Sequence, residues 1–282
     1  WSIRTDSGTV QAGEDPLARR DALAREHRLA DPADEPGDDP AACPFQGGLI
    51  GFFGYDLAPL LERLPRKAPR DSRFPDVRMA LYDTVVAIDH EVGSAAILAW
   101  DLLKEGREAV ERRARFWRRA IRDAAASPRP LGATSVGPLV GGFTRDEYLE
   151  AVRRTLDYIR AGDVFQINLS QRYTAKGRID PLELFLRLRE ESPAPFSALL
   201  RWRDLAVVSA SPEWFYRTRG PRISTRPIKG TRPRGATPEA DAAMADELLA
   251  SAKDRAELTM IVDLERNDLG RVCRYGSVEV VE

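Results

Sequence analysis

A run of sixteen residues near the middle of the chain, SPRPLGATSVGPLVGG at positions 127–142, places the strongest limit on how the chain can fold. It contains three prolines, four glycines and a single charged residue. Proline and glycine interrupt helices and strands, so neither element is expected to cross this run. We therefore predict a linker at 127–142 between an N-terminal region at 1–126 and a second region at 143–282. A chain of 282 residues is long enough to bury a sizeable hydrophobic core.

The charge balance and the cysteine count exclude several classes of protein. Lysine and arginine total 43 against 44 acidic residues, and this net charge of −1 argues against a nucleic-acid or membrane-surface partner. The sequence has no apolar run near the roughly 18 residues of a membrane span and no signal-peptide pattern. Two cysteines cannot form a disulfide framework, which favours a reducing, cytoplasmic location. The chain begins without Met and stops inside a predicted strand, so we expect a piece of a longer protein, truncated at both ends.

The N-terminal region combines strand and helix patterns. A short strand precedes a helix predicted at 16–29, and DPADEPGDDP at 31–40 predicts a solvated loop because of its acids and prolines. The apolar string PFQGGLIGFFGYD spaces Gly48, Gly51 and Gly54 for close packing of backbone against backbone. The remaining elements predicted in this region are strands at 79–89 and 94–100 and an arginine-rich amphipathic helix at 102–126.

The second region opens with clear helix boundaries. Thr144 and Glu147 form a capping-box pattern that begins a helix, and Gly162 ends it. Residues 164–174 alternate between apolar and polar side chains, which predicts a strand. Asp180 precedes a proline and begins another helix. The further predictions are strands at 197–202, 205–211, 222–228 and 277–281 and helices at 238–250 and 254–267. This mixture indicates an α+β fold.

The motifs of metalloproteins and hydrolases are absent from the sequence. His27 and His90 are not at ligand spacing from Cys43 or Cys273, so a zinc site is disfavoured. Neither a G-x-S-x-G nucleophile elbow nor a Walker-type phosphate loop occurs.

The densest group of chemically competent residues lies between positions 211 and 270. Glu213 follows an apolar strand, where it either holds a proton near neutral pH or pairs with a nearby arginine. Lys229, in TRPIKGTRPRG, is one of only five lysines in a chain whose other cations are arginines. Nearby cations and burial lower a lysine pKa, so Lys229 is either an amine nucleophile or part of a basic anion-holding loop. Glu257, in the first turn of a helix, either caps that helix or binds Mg²⁺.

Six ordered strings resemble the chorismate-utilising enzymes, most closely the aminodeoxychorismate synthase component I family (para-aminobenzoate synthase large subunit). They are PFQGGLIGFFGYD, GDVFQINLSQRY, APFSALL, SPEWF, TRPIKGTRPRG and SAKDRAELTMIVDLERNDLGRV. Together they favour the functional interpretation of Glu213, Lys229 and Glu257. The resemblance implies large twisted, mostly antiparallel β-sheets packed face to face with outer helices. It also implies an anthranilate synthase component I-like region at 1–126 and a chorismate-binding domain at 143–282, both incomplete.

The resemblance implies a role for each site residue in the amination of chorismate to 4-amino-4-deoxychorismate, a step of para-aminobenzoate and folate biosynthesis. Lys229 attacks chorismate at C2, Glu213 protonates the departing C4 hydroxyl, and ammonia then adds at C4. Gly230 and Thr231 hold the substrate carboxylate, and Mg²⁺ binds partly through Glu257. Ammonia comes from a glutamine amidotransferase partner.

Two positions separate this expected reaction from its relatives. Anthranilate synthases typically carry alanine where this chain has Lys229, and isochorismate and salicylate synthases carry a lysine where it has Gln166. Gln166 is therefore taken as a substrate-binding residue that favours amination over hydration. The string APFS, with Pro195, Phe196 and Ser197, resembles part of a tryptophan pocket.

The alternatives are anthranilate synthase component I and a non-catalytic fragment that binds the amidotransferase. Since the family's second Mg²⁺ carboxylate, a site histidine and an arginine for the substrate carboxylate are expected beyond Glu282, the isolated 282-residue piece is expected to be nearly inactive.

Overall fold

The computed structural model describes residues 2–5, 8–12, 16–26, 43, 45–65, 74–126, 132 and 134–281. The chain forms two compact units, Trp1–Pro130 and Leu131–Glu282. The boundary between them falls inside the glycine- and proline-rich run at 127–142. The later part of that run belongs to the second unit, where it forms two short strands. The acidic loop predicted at 31–40 lies outside the described residues.

The part of the first unit that the structure describes forms three strand pairs, two α-helices and one 3-10 helix. The strands are β1 (Ser2–Thr5), β2 (Gly8–Ala12), β3 (Gly48–Phe53), β4 (Val77–Tyr82), β5 (Thr84–Asp89) and β6 (Ser94–Ala99). The helices are α1 (Pro16–Glu26), the 3-10 helix Tyr55–Leu60 and α2 (Arg107–Ala126). Leu57, Leu102 and Ala109 are buried in this unit.

The described residues of the second unit form eight strands and four helices. The strands are β7 (Ser135–Val136), β8 (Val140–Gly141), β9 (Tyr173–Thr174), β10 (Gly177–Arg178), β11 (Phe196–Arg201), β12 (Ala206–Ser211), β13 (Trp214–Arg219) and β14 (Arg222–Arg226). The helices are α3 (Arg145–Ala161), α4 (Pro181–Glu191), α5 (Pro238–Ala250) and α6 (Ala252–Gly270).

All strand pairs among the described residues are antiparallel. Five join consecutive strands: β1 with β2, β3 with β4, β5 with β6, β11 with β12, and β13 with β14. The other two pair β8 with β9 and β7 with β10. The hydrogen-bonded ladders are two strands wide. The predicted α+β class with mostly antiparallel strands is confirmed.

The helix boundaries read from the second region are confirmed in their local chemistry. The Thr144 backbone N–H donates to Glu147 at 2.8 Å, and the Glu147 N–H donates back to the Thr144 hydroxyl at 3.3 Å. The first of these bonds lowers the pKa of the Glu147 carboxyl. Gly162 ends α3 with φ +79°, in the left-handed region that favours glycine. Asp180 caps α4 by accepting the Leu182 N–H at 2.9 Å.

Several predicted strands differ from the structure, and the difference follows from pairing. The strand predicted at 79–89 is broken at Asp83, because β4 pairs back to β3 while β5 pairs forward to β6. Of 164–174, only Tyr173–Thr174 is strand, and 277–281 has no strand assignment. Alternating apolar and polar side chains indicate an extended segment with one apolar face. A β-strand also requires backbone hydrogen bonds to a neighbouring strand.

Two further boundaries differ from the prediction for local reasons. The helix predicted from 102 begins at Arg107, because Asp101 accepts the Glu105 and Gly106 N–H groups at 2.7 and 2.9 Å and holds a turn there. Strand β13 was not predicted, although its Trp-Phe-Tyr run has strong strand propensity.

The described residues contain no helix with the length and apolar character of a membrane span.

The glycines of β3 and its flanks serve different purposes. A Cβ on Gly51 would lie 2.0 Å from the Arg78 carbonyl oxygen and 2.6 Å from the Met79 Cα of β4. Gly51 therefore permits the close backbone packing predicted for this string. Gly48 instead has φ +126°. Among the described residues, only the Phe45 ring comes within 4 Å of the position that a Cβ would occupy there. Its glycine is required by backbone conformation.

We expect the Gly51→Ala substitution to force β3 and β4 apart, because the added methyl meets backbone that cannot rotate away. Overpacking of this kind costs about 1–3 kcal/mol of unfolding free energy. Urea unfolding followed by circular dichroism measures the loss. The matched control is Gly270→Ala, since no described residue outside its own helical turn has an atom within 4 Å of that Cβ position. Equal stability of the Gly51→Ala protein and the wild type would contradict the packing argument.

Candidate active site

All of the predicted site residues lie in the second unit, around the end of the β13–β14 pair. The antiparallel register places Trp214, at the start of β13, opposite Arg226, at the end of β14. Glu213 immediately precedes β13, and the segment 227–235, here called the lysine loop, immediately follows β14. The pairing therefore brings the SPEWF and TRPIKGTRPRG strings together.

Glu213 contacts the lysine loop directly. Its Oε1 accepts the backbone N–H of Ile228 at 3.3 Å, and its own backbone N–H donates to the Ser211 hydroxyl at 3.2 Å. The first bond holds the carboxyl one residue away from Lys229. The Glu213 side chain remains exposed, so it is open to a bound molecule.

Lys229 is half-buried. In the part of the chain that the structure describes, its ammonium group takes part in no hydrogen bond or ion pair. Because Lys229 has no carboxylate partner there, no salt bridge must break before its amine can act as a nucleophile.

Gly230 follows Lys229 with φ +73°, a left-handed conformation. A Cβ at this position would lie 2.9 Å from both Cβ and Cγ of Asp254 and 2.9 Å from Cδ1 of Leu248. Gly230 thus lets the lysine loop lie against the start of α6. Any other residue would be strained in its backbone and would also collide with these neighbours.

Arg232 and Arg234 attach the lysine loop to the two following helices. Arg232 donates to Glu247 at 2.7 Å and to Asp254 at 3.1 Å. Arg234 forms a two-bond contact with Asp241, at 2.6 Å for each nitrogen. The charges of both arginines are therefore compensated by carboxylates.

Two acids that bind these arginines, Asp254 and Asp241, have pKa values below their ordinary range. The Ser251 side chain at the start of α6 and then Arg232 hold the pKa of the Asp254 carboxyl below its usual value, against the opposing effect of burial. For Asp241, the Arg234 guanidinium and the Gly235 N–H have the same effect. The anchors are therefore charged at neutral pH.

The predicted tryptophan-pocket string lies at the start of β11, which pairs with β12 in a separate ladder. The ring of Phe196 is 6.2 Å from the Trp214 ring, and the Arg226 guanidinium lies 5.5 Å above that indole. The Ser197 hydroxyl donates to the Ala194 carbonyl at 2.8 Å, across Pro195 and Phe196, so it closes a local turn. A tryptophan pocket at Pro195, Phe196 and Ser197 stays a prediction.

The predicted metal ligand Glu257 is half-buried on α6, one turn beyond Asp254. Its carboxylate oxygens are of the type that Mg²⁺ prefers. Asp254, however, is engaged with Arg232, and the described residues contain no group of three potential metal ligands. The described side chains alone do not complete a magnesium site, and Mg²⁺ binding through Glu257 stays a prediction.

Gln166 is exposed, and no hydrogen bond or ion pair among the described residues joins it to the lysine loop. The residues that follow it line an open groove of about 500 Å³ against α3, bounded by Ile167, Leu169, Val152 and Leu156 among others. The structure thus brings Lys229, Glu213, Gly230 and Thr231 together and leaves Gln166 outside this cluster.

Sequence reasoning did not select the acids that hold the lysine loop: Asp241, Glu247 and Asp254. Asp241 and Asp254 lie in the first turns of α5 and α6, where acidic residues are common because they suit the helix dipole, so their positions do not single them out. The sequence did contain one indication of these acids. Arg232 and Arg234 require acidic partners if their loop packs against helices.

Comparison with known proteins identifies relatives over the whole chain. The model of the chorismate binding enzyme family matches residues 2–282. Anthranilate synthase component 1 of Thermus thermophilus is 38% identical over 284 residues, covering 100% of this chain and 60% of that protein. Aminodeoxychorismate synthase component 1 of Klebsiella aerogenes is 41% identical over 239 residues, covering 85% of this chain and 50% of that protein.

A solved structure supports the same fold. The crystal structure of anthranilate synthase component I from Streptococcus pneumoniae superposes with a TM-score of 0.74 at 26% identity, covering 96% of this chain and 59% of that one. The chain spans only 50–60% of the length of the two curated relatives described above.

We expect the Asp241 anchor to stabilise the protein near neutral pH and to lose its effect in acid. The folded pKa of Asp241 lies below that of the unfolded chain, about 3.9. Its contribution is therefore complete above that value and disappears as the pH falls through the folded pKa. Urea unfolding should show Asp241→Asn less stable than wild type at pH 7, with the difference shrinking toward pH 3.

The control for this prediction is Asp157→Asn, since Asp157 pairs with Arg160 on the surface of α3 with both side chains more than two-thirds exposed. Exposed pairs contribute little. A pH-independent deficit for Asp241→Asn would show that the carboxylate charge is not what holds Arg234.

Proposed function

The chain belongs to the chorismate binding enzyme family, and from that premise we propose that the protein aminates chorismate to 4-amino-4-deoxychorismate. The observation that carries the proposal is Lys229, a half-buried amine without an ion-pair partner among the described residues. It stands between Ile228, bonded to Glu213, and Gly230, packed on Asp254. The backbone on both sides of the amine is held, which favours a positioned nucleophile.

In the proposed reaction, neutral Lys229 bonds through Nζ to C2 of chorismate. The ring double bonds shift, and the bond from C4 to its hydroxyl oxygen breaks. Ammonia then bonds to C4, the double bonds shift back, the bond between Nζ and C2 breaks, and a proton from the added nitrogen returns to the Glu213 carboxylate. The sum is chorismate plus ammonia giving 4-amino-4-deoxychorismate plus water, with the lysine regenerated.

Glu213 is proposed as the proton donor to the departing hydroxyl, which leaves as water. Its carboxyl is beside the lysine loop and open to solvent, so it has access to a ligand that also meets Lys229. Gly230 and Thr231 are proposed to bind a substrate carboxylate. No step is assigned to a metal ion.

The proposed source of ammonia is a glutamine amidotransferase partner. The relative from Klebsiella aerogenes is named component 1, which indicates that a further component exists for that protein. The proposed product places the reaction in para-aminobenzoate and folate biosynthesis.

Anthranilate formation is a second candidate, and the relatives favour it comparably. The anthranilate synthase component from Thermus thermophilus matches the whole chain at 38% identity, against 41% over a shorter span for the aminodeoxychorismate synthase component. The distinguishing residue is Lys229, at a position where the resemblance places alanine in anthranilate synthases.

Product analysis separates the two candidates. Full-length protein supplied with chorismate, Mg²⁺ and an ammonium salt is expected to yield 4-amino-4-deoxychorismate, identified by chromatography and mass spectrometry. Anthranilate, recognised by its fluorescence, as the main product would overturn the proposed reaction.

Without ammonia, the covalent adduct on Lys229 is expected to accumulate, because nothing displaces the lysine from C2. Intact mass spectrometry of the full-length protein should show an increase equal to chorismate minus one water. Lys229→Ala should show none. Lys176→Ala, which removes an exposed lysine of the same unit, should retain it. An adduct that persists in Lys229→Ala would assign the nucleophile to another residue.

A further inference from the structure

Arg232 makes more contacts than an arginine of an exposed loop needs. Its Nε donates to Glu247 at 2.7 Å and its Nη2 to Asp254 at 3.1 Å, which joins α5 and α6. Its Nη1 donates to the carbonyl oxygen of Thr231 at 2.9 Å, which fixes the backbone of its own loop. We propose that Arg232, held by Glu247 and Asp254, is a positioning residue that fixes Lys229 for nucleophilic attack. The inference rests on the proposed function for the role of the amine.

Burial distinguishes the Arg232–Asp254 pair from the exposed ion pairs on the surface of α3. The side chains of Arg232 and Asp254 are 24% and 16% exposed, whereas those of Arg153 and Glu150 on α3 are 68% and 60% exposed. Charges that are partly withdrawn from water interact more strongly and are screened less by salt. The Arg232 contacts can therefore constrain backbone, while an exposed pair on a helix contributes little.

The position of Asp254 links the ion pair to the reacting residue. Its Cβ and Cγ form the wall against which Gly230 packs, while its Oδ2 receives Arg232. The chain from Gly230 to Arg232 is thus held to one side chain at both of its ends. Lys229 comes directly before this fixed stretch, and Ile228, directly before Lys229, is bonded to Glu213.

The geometry requires arginine. Three separate nitrogens of the guanidinium donate to three acceptors in a fixed plane. A lysine ammonium carries the same charge as a single point at the end of a flexible chain and does not reproduce this arrangement. These bonds also direct the guanidinium toward the protein, which favours positioning over direct capture of a substrate carboxylate.

The test uses the full-length protein with Arg232→Ala, Arg232→Lys, Asp254→Asn and the double variant Arg232→Ala with Asp254→Asn. Arg153→Ala is the matched control, because it removes an arginine from an exposed pair in the same unit. Hydrogen–deuterium exchange of the segment 227–235 reports whether the loop is held, independently of any reaction. Steady-state kinetics with chorismate and ammonia reports whether the held loop matters for turnover.

A positioning role predicts faster exchange in 227–235 for each Arg232 and Asp254 variant and unchanged exchange in the control. Misplacing a reacting group by about 1 Å costs on the order of 100-fold in rate, so kcat should fall by about 10- to 100-fold while KM changes by less than about threefold. The double variant should be no slower than the slower single variant, because both substitutions break one contact.

Other patterns overturn the proposal. A large rise in KM for Arg232→Ala with normal kcat and normal exchange would make Arg232 a substrate-binding residue. Full retention of kcat and of exchange protection in Arg232→Lys would show that charge alone is required. If Arg232→Ala fails to fold, Arg232→Lys and Asp254→Asn carry the test, since both keep most of the side-chain volume.

Failure of the proposed function gives a separate signature. A wild-type protein that forms anthranilate, or no adduct on Lys229, would remove the amination reaction whatever the exchange data show. Unchanged exchange in all variants would remove the positioning role even if wild-type protein forms 4-amino-4-deoxychorismate.

Discussion

The pairing of β13 with β14 is the constraint on which the candidate site depends. Its antiparallel register sets Trp214 opposite Arg226, so the residue before one strand and the loop after the other must meet. The bond from the Ile228 N–H to Glu213 is a consequence of that register. A register shift would separate the carboxyl from the amine that it is proposed to assist. Phe196 and Arg226 contact the Trp214 ring from neighbouring elements, and an aromatic ring used in this way adds packing to a ladder of few hydrogen bonds.

The lysine loop shows how a segment without regular structure is held in place. Its ordering is supported by charges on helices that follow it in sequence, with Asp241 holding Arg234, and Glu247 and Asp254 holding Arg232. It also depends on two glycines that admit close contacts. A Cβ on Gly235 would lie 2.1 Å from the backbone nitrogen of Asp241, so this end of the loop rests directly on the first turns of α5. Fixing loop residues opposes conformational entropy of about 1–2 kcal/mol per residue, which explains why several anchors converge on nine residues.

The sequence predicted the structure well where an element depends on hydrogen bonds between residues close together in the chain. The Thr144 capping box, the left-handed Gly162 and the Asp180 cap could be read directly, because each depends on residues within a turn of one another. The break at Asp83 could not, because it depends on β4 and β5 having different partners. For the site, SPEWF and TRPIKGTRPRG named Glu213 and Lys229, but their closeness is a product of strand pairing. The partners of Arg232 lie 15 and 22 residues further along the chain, and no pattern in the sequence connects them.

The same geometry explains why two reactions are compatible with so similar a chain. Glu213, the glycines of the lysine loop and the anchoring acids fix the backbone, and the side chain at position 229 then projects from a held position. In the proposed function, the lysine amine changes which carbon of chorismate accepts nitrogen, without any change in the contacts that hold the loop. The chain is 38% identical to a relative named anthranilate synthase component 1 and 41% identical to one named aminodeoxychorismate synthase component 1. In the proposed function one side chain decides the product, so the fate of the Lys229 amine discriminates between the two reactions better than overall similarity does.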